Sequence, residues 1–240
     1  MKGIDVITEA LLACTDRQYT VPGFPVTELG AKTRAEMVIN EKTALEYALG
    51  DSLEGRRVAV IIKNVGVNAC ADPLLQAAAQ GLIGGVLLVA GDDPEALGSQ
   101  TAQDSRYYGE LAEIPVIEPD ASSCYAGVEA ALEASEQFSR VAMLRLTPEI
   151  FDAEVSGSPV PRRNGKGRLF AGHCRAVVVH HDAEQRKLLF VHIDQGIQAG
   201  MEQGIVADQG NFCAPGGNRN TRTHAVTGDT QLVRGSHSQN

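Results

Sequence analysis

Three short stretches of this chain are apolar at nearly every position: Arg57–Ile62 ending at Lys63, Val86–Ala90, and Val141–Leu146. A β-strand turns successive side chains to opposite faces, so a strand that is apolar throughout must be covered on both. Runs of this length bounded by turn residues are strands rather than helices. Ile114–Ile117 is a fourth, shorter run. Helical patterns lie between them, at Ile4–Cys14 and from Glu41 onward. Asp72-Pro73 reads as a cap followed by proline at the first position, opening Leu74–Gln80, and Asp120 caps a helix through Phe138. Gly81 and Gly84-Gly85 break the chain before Val86, and Tyr19–Val21 leads into the turn-rich Pro22-Gly23-Phe24-Pro25. Strands alternating with helices predict an α/β domain over residues 1–150, a parallel sheet with helices on both faces. Ligands of such sheets sit beyond the carboxyl ends of the strands. The polar segments there are Lys63-Asn64-Val65-Gly66, Gly91-Asp92-Asp93-Pro94 and Ser99 to Tyr108.

The texture changes near Ser156. Residues 151–170 contain SGSPVPRRNGKG and read as a linker. Residues 171–240 read as a small irregular region. In it, Arg175–His180 and Lys187–Ile193 flank the polar turn His181–Gln185 as a β-hairpin, and the chain beyond Gly210 has no apolar period, as in loop or disordered chain. Charge divides at the same place. Residues 1–150 carry 11 Lys and Arg against 22 Asp and Glu, a net of −11, while residues 151–240 carry 10 against 8, a net of +2. An acidic body argues against nucleic acid as a partner. There is no run of about 18 apolar residues and no basic, small-residue leader at the N-terminus, so the expected setting is the cytoplasm, with no membrane span. Five cysteines without a close CxxC pair predict reduced thiols.

One carboxylate stands out. Met37-Val38-Ile39 reads as a buried strand end, Asn40 as an N-cap, and Glu41 as the first residue of the next helix. Counting along that helix from Glu41, positions i+3, i+4, i+7 and i+8 are Ala44, Leu45, Ala48 and Leu49, so Glu41 lies on the apolar stripe. Lys42 and Glu46 form a solvated pair off it. Two readings are open for Glu41: an acid complementing the helix dipole, or a carboxyl aimed into an apolar cleft to bond a ligand nitrogen. Asp92-Asp93 reads as a turn cap because Pro94 comes next, ahead of a metal-holding role. His173, Cys174, His180, His181, His192 and Cys213 match no zinc spacing, and no metal site is expected. P-loop, GxSxG and HExxH motifs are absent, and GLIGG at Gly81–Gly85 is not GxGxxG and precedes a strand, so a dinucleotide fingerprint is unsupported. The dense polar loop with Gln100, Gln103, Asp104, Ser105 and Arg106 predicts a contact with a neighbouring subunit.

Asn40-Glu41-Lys42 with Ala44-Leu45-Glu46, Lys63 to Asn68, Ala71-Asp72-Pro73-Leu74, Asp92-Asp93-Pro94, Ser99-Gln100 and Gln103 to Tyr108 together resemble the N-terminal domain of the indolepyruvate ferredoxin oxidoreductase alpha subunit. The resemblance covers about residues 1–150. It implies the pyrimidine-binding domain of a thiamine diphosphate enzyme acting on 2-oxo acids, by oxidoreduction or decarboxylation. It implies Glu41 as the catalytic carboxyl that bonds the aminopyrimidine ring nitrogen, favouring the tautomer that takes the thiazolium proton. Pro22, Gly23, Asn64, Gly66 and Asn68 are implied as cofactor-binding, and Asp92, Asp93, Ser99, Gln100, Gln103, Asp104 and Arg106 as an interface or substrate loop.

The chain departs from that pattern at Asn64, where the family usually has His. It also lacks a GDG with a distant Asn and the cysteine clusters of iron–sulfur centres. The expectation is therefore a homo- or hetero-oligomer in which a partner chain holds the magnesium and the diphosphate, as in split enzymes resembling sulfopyruvate decarboxylase. The alternative is a non-catalytic binding or scaffold subunit with the same fold.

Overall fold

In the computed structural model, six parallel strands form one sheet in the order β2-β1-β3-β4-β6-β5. The structure describes residues 1–155, seven positions between 159 and 169, and the backbone of strands at 174–182, 187–194, 206–207, 226–227 and 231–232. The sheet strands are β1 (Arg17–Thr20), β2 (Glu36–Met37), β3 (Val58–Lys63), β4 (Val86–Gly91), β5 (Val116–Ile117) and β6 (Ala142–Leu146). Alternation divides their side chains. Ala59, Ile61, Leu87, Val89, Ala142 and Leu144 face one core, and Val58, Val60, Ile62, Leu88, Ala90 and Met143 face the other. Helices α1 (Gly3–Cys14), α2 (Thr27–Lys32), α7 (Cys124–Phe138) and α8 (Pro148–Asp152) close the first core. Helices α3 (Glu41–Leu53), α4 (Asn64–Ala69), α5 (Ala71–Gln80) and α6 (Tyr107–Ala112) close the second. The doubly covered parallel sheet expected from the apolar runs is what forms.

Three local expectations are corrected. Met37-Val38-Ile39 is not a buried strand end: β2 is a two-residue edge, and Met37 and Ile39 are 73% and 88% exposed. The physical reason is that no described element covers the outer side of that edge. Helix α5 begins at Ala71, one residue before the expected cap, because α4 runs almost directly into it through Cys70. Asp72 therefore sits inside the first turn, and its carboxylate accepts from Lys42 Nζ at 2.7 Å. Lys42 is thus shared between Asp72 and Glu46, 3.9 Å away. Asp120 caps a turn ahead of α7 rather than the helix itself, accepting from the Ser122 and Ser123 amides at 2.9 Å.

Part of the expected linker is held against the body. Arg162 makes two hydrogen bonds to Asp16, at 2.9 and 3.1 Å, the Arg163 amide bonds Glu129, and the Gly167 amide bonds the Ile83 carbonyl. The Arg162 bonds lead in holding the Asp16 carboxyl below its ordinary value, against partial burial. A depressed carboxylate contributes stability above its unfolded pKa, about 4, and loses it as pH falls through the lower folded value. The strap is therefore expected to stay closed at neutral pH and to open to protease as pH falls below about 4. Limited proteolysis at Arg162–Lys166 reads this, with an acid-active enzyme across the pH drop and trypsin at pH 7, and equal resistance to trypsin in Asp16→Asn at pH 7 would remove the role given to the pair.

Beyond the strap, β7 (Cys174–Asp182) and β8 (Lys187–Asp194) pair antiparallel, as the hairpin reading expects, and β8 pairs β9 (Val206–Ala207). Short strands β10 (Val226–Thr227) and β11 (Gln231–Leu232) pair with each other. The remaining expectations for 171–240, including the histidine and cysteine side chains there, lie outside the described residues. Among the described residues no helix is long and apolar enough to cross a membrane.

Candidate functional site

The strand order reverses at β1 and β3. From β1 the chain steps to β2 on one side, across the first core, then returns over the second core to β3 on the other side of β1. Helices leaving adjacent strands toward opposite faces open a crevice at their carboxyl ends, which is where open α/β sheets bind ligands. The loops bordering it are Val21–Val26 after β1 and the start of α4 after β3. They touch: a side chain on Gly23 would fall 2.5 Å from the Lys63 stem and would have to push it aside. Pro22 and Phe24 are exposed beside it.

Glu41 enters from α3. Asn40 caps that helix, its Oδ1 accepting from the Thr43 amide at 2.9 Å. Ala44, Leu45 and Ala48 are fully buried below, Leu49 is half-buried, and Glu41 itself is half-buried at the mouth of the stripe. Its side chain lies over Gly66 of α4, where an added Cβ would come within 2.8 Å of Glu41 Cγ and Oε1. The Cys70 thiol donates to the Glu41 backbone carbonyl at 3.2 Å. Burial first, then the Glu41 and Glu46 charges, push that thiol up to about 12, so it stays a donor. Among the described residues no hydrogen bond or ion pair engages the Glu41 carboxyl. Met37 and Ile39, on the approach to Glu41, add an exposed apolar margin.

The polar loop after β4 is committed to its own chain. Asn64 is fully buried, and all of its amide capacity is used. Nδ2 donates to the Thr101 and Gln103 carbonyls at 2.9 and 3.4 Å. Oδ1 accepts from the Val65 amide and Ser99 Oγ at 2.8 and 2.9 Å. The side chain implied as cofactor-binding is thus turned inward as a clasp. Asn68 and Gln103 exchange two side-chain bonds of 2.9 Å, and Tyr108 adds a third to Asn68 at 2.6 Å. Lys63 Nζ donates to Gln100 at 2.6 Å. Much of the loop's hydrogen-bonding capacity is used on Lys63 and on Asn64 and Asn68 of α4. Asn64→Ala strands Ser99 Oγ and two carbonyls, a loss of about 1–3 kcal/mol, expected as a lower Tm with faster cleavage at 99–106. Unchanged cleavage would refute the clasp.

Asp92 and Asp93 are both fully buried. Asp93 caps the turn as expected, Oδ2 accepting from the Gly98 and Ser99 amides at 2.8 Å. Burial raises its carboxyl, but bonds from the Gly98, Ser99 and Leu97 amides outweigh that and hold it below its ordinary value. Asp92 does something the pattern does not announce: it accepts from Ser105 Oγ at 2.5 Å and from Arg145 Nε at 2.6 Å. Arg145 also bonds Glu118, which reaches Arg106 at 3.4 Å, and Arg106 grips Asp104 at 2.6 Å. That Arg106 bond is the main reason the Asp104 carboxyl lies below its ordinary value. Sequence reasoning missed Arg145, although an arginine inside the apolar run of β6 is the available sign. Among the described residues no cluster of three His, Cys, Asp or Glu side chains is placed to hold a metal ion.

The first half of the chain has curated relatives. It is 43% identical over 113 residues to indolepyruvate oxidoreductase subunit IorA of Archaeoglobus fulgidus, covering 46% of this chain and 18% of that protein. It is 37% identical over 138 residues to IorA of Thermococcus kodakarensis, covering 52% and 21%. The chain thus spans about a fifth of the length of the curated relatives it matches. A solved 2-oxoglutarate:ferredoxin oxidoreductase from Magnetococcus marinus, with 2-oxoglutarate, coenzyme A and succinyl-CoA bound, has the same fold. Its TM-score is 0.53 at 14% identity, over 78% of this chain and 36% of that one. No family model matches.

Proposed function

We propose that residues 1–150 form the pyrimidine-side half of a thiamine diphosphate-dependent 2-oxo acid oxidoreductase of the indolepyruvate ferredoxin type. A partner chain carrying the diphosphate and magnesium site completes it. The observation that carries the reading is the Glu41 carboxyl: half-buried, unpaired among the described residues, and seated over a glycine beside the β1/β3 crevice. A carboxylate with unused lone pairs at a protected mouth is suited to accept a proton or hydrogen bond from a ring nitrogen. The names of the relatives favour oxidoreduction over simple decarboxylation.

Bound thiamine diphosphate would supply a carbon nucleophile and an electron sink for the 2-oxo acid. This chain's residues would prepare its pyrimidine end. Glu41 would hold the proton at the ring nitrogen, and Gly66 keeps the approach to Glu41 free of a side chain. Pro22 and Gly23 border the crevice, and Asn68 forms its outer rim with Gln103 and Tyr108. Asn64 would serve indirectly, keeping Ser99 to Gln103 closed over α4. Asp92, Asp93, Asp104 and Arg106 would fix that loop from below. The exposed Met37 and Ile39 would pack against the partner, which would also exclude water from Glu41. A cytoplasmic setting accords with this chemistry.

The test is reconstitution. The chain is co-purified with the partner encoded beside it, and thiamine diphosphate binding is measured by calorimetry on the complex and on each chain alone. Binding by the complex only is the expected result. The scaffold reading predicts none in any sample.

A further inference from the structure

Around Glu41 the chain spends several separate contacts on holding one carboxyl in place. Asn40 fixes the helix start, the Cys70 thiol fixes the first-turn carbonyl, and Gly66 lies buried beneath the side chain itself. Gly66 is the unusual member. It sits in the middle of a short helix, between Val65 and Val67, with Asn64 and Asn68 beyond, where alanine would ordinarily be the better residue. Neither a turn nor a left-handed backbone calls for glycine here, since Gly66 is not among the residues with positive φ. What a side chain would meet first is one neighbour, Glu41. The three heavy atoms nearest an added Cβ are Glu41 Cγ at 2.8 Å, Oε1 at 2.8 Å and Cδ at 3.1 Å. All three are flexible side-chain atoms rather than backbone, so a methyl group there would move the carboxyl before it disturbed the fold.

We propose that Gly66 is a positioning residue for Glu41, its missing side chain being the seat that sets where the carboxyl oxygens lie. The functional weight of this rests on the reading of Glu41 given above. The seat itself does not, because it is a relation between two side-chain positions of this chain. Gly66 therefore acts through Glu41 rather than as a separate ligand contact.

A double-mutant cycle reads that relation without cofactor or partner. Gly66→Ala is made in the native chain and in Glu41→Ala, and thermal midpoints are compared. With Glu41 shortened, the three nearest atoms are gone and the helix gains from alanine, an expected rise of about 2–4 °C. With Glu41 present, the displaced carboxyl cancels that gain, and the midpoint is unchanged or lower. Equal rises in both backgrounds, or equal falls, would overturn the proposal.

A second measurement connects the seat to function. In the reconstituted complex, deuterium exchange at the reactive carbon of thiamine diphosphate should slow by about 100-fold in Gly66→Ala and at least as much in Glu41→Gln. A coupled cycle with exchange unaffected in both variants would leave the seat standing and remove the enzymatic reading. A slow Glu41→Gln beside a native-like Gly66→Ala would do the reverse.

Discussion

Glu41→Gln is expected to lower the thiamine diphosphate-dependent turnover of a 2-oxo acid by the reconstituted complex about 10²–10⁴-fold, the range for removal of a positioned proton-transfer group. The substitution keeps the length and shape of the side chain, so its fit over Gly66 and the Asn40 cap survive. What it removes is the ability to take and return a proton. The loss should fall on kcat more than on cofactor affinity, because most of the binding energy would come from the diphosphate held by the partner. Stability should barely change, since the native carboxyl has no partner among the described residues to lose. A folded complex with native activity in Glu41→Gln would end the catalytic account of this chain.

The second large effect lies at the opposite end of the sheet. Arg57, 2% exposed at the entry to β3, donates Nε and Nη2 to Glu136 at 2.7 and 2.8 Å and Nη1 to both oxygens of Glu129 at 2.9 Å. The two glutamates lie on α7 and are 2% and 4% exposed. Burial alone would favour loss of the Arg57 proton, but the Glu136 and Glu129 bonds more than reverse this and hold the guanidinium charged. Arg57→Met would leave two carboxylates facing each other in a dry interior, a loss of about 3–5 kcal/mol. For a chain of this size that is a fall in Tm of roughly 6–20 °C. Replacing all three side chains by apolar residues should recover most of the loss. Scanning calorimetry of the single and triple variants at pH 7 reads both statements, and a Tm within about 2 °C of native in Arg57→Met would contradict the first.

The sheet can be read from the chain because β3, β4 and β6 are apolar on both faces, a pattern few other arrangements tolerate. The clasping loop can be recognised as special from its composition, but not understood. Gln103 finds Asn64 and Asn68 at separations of 39 and 35 residues, and Arg145 finds Asp92 across 53. No local periodicity encodes such pairs. A buried arginine announces that a partner exists without saying which. Arg57 heads an apolar run in the same way, and Glu129 and Glu136, seven apart, lie on one face of α7. Met37 and Ile39 mislead for a different reason. Apolar residues beside a strand read as interior, and only the strand order reveals that this strand is last. The place of Glu41 at the mouth of the apolar stripe is legible because a carboxyl there is a conflict of local rules.

The brevity of β2 has a consequence for how anything can attach there. Two residues of open backbone give no template for a seventh strand, so self-propagating edge-to-edge growth is blocked. Attachment at that margin must run through side-chain shape, which a visitor can match or fail to match, making the margin selective where a longer ribbon would be sticky.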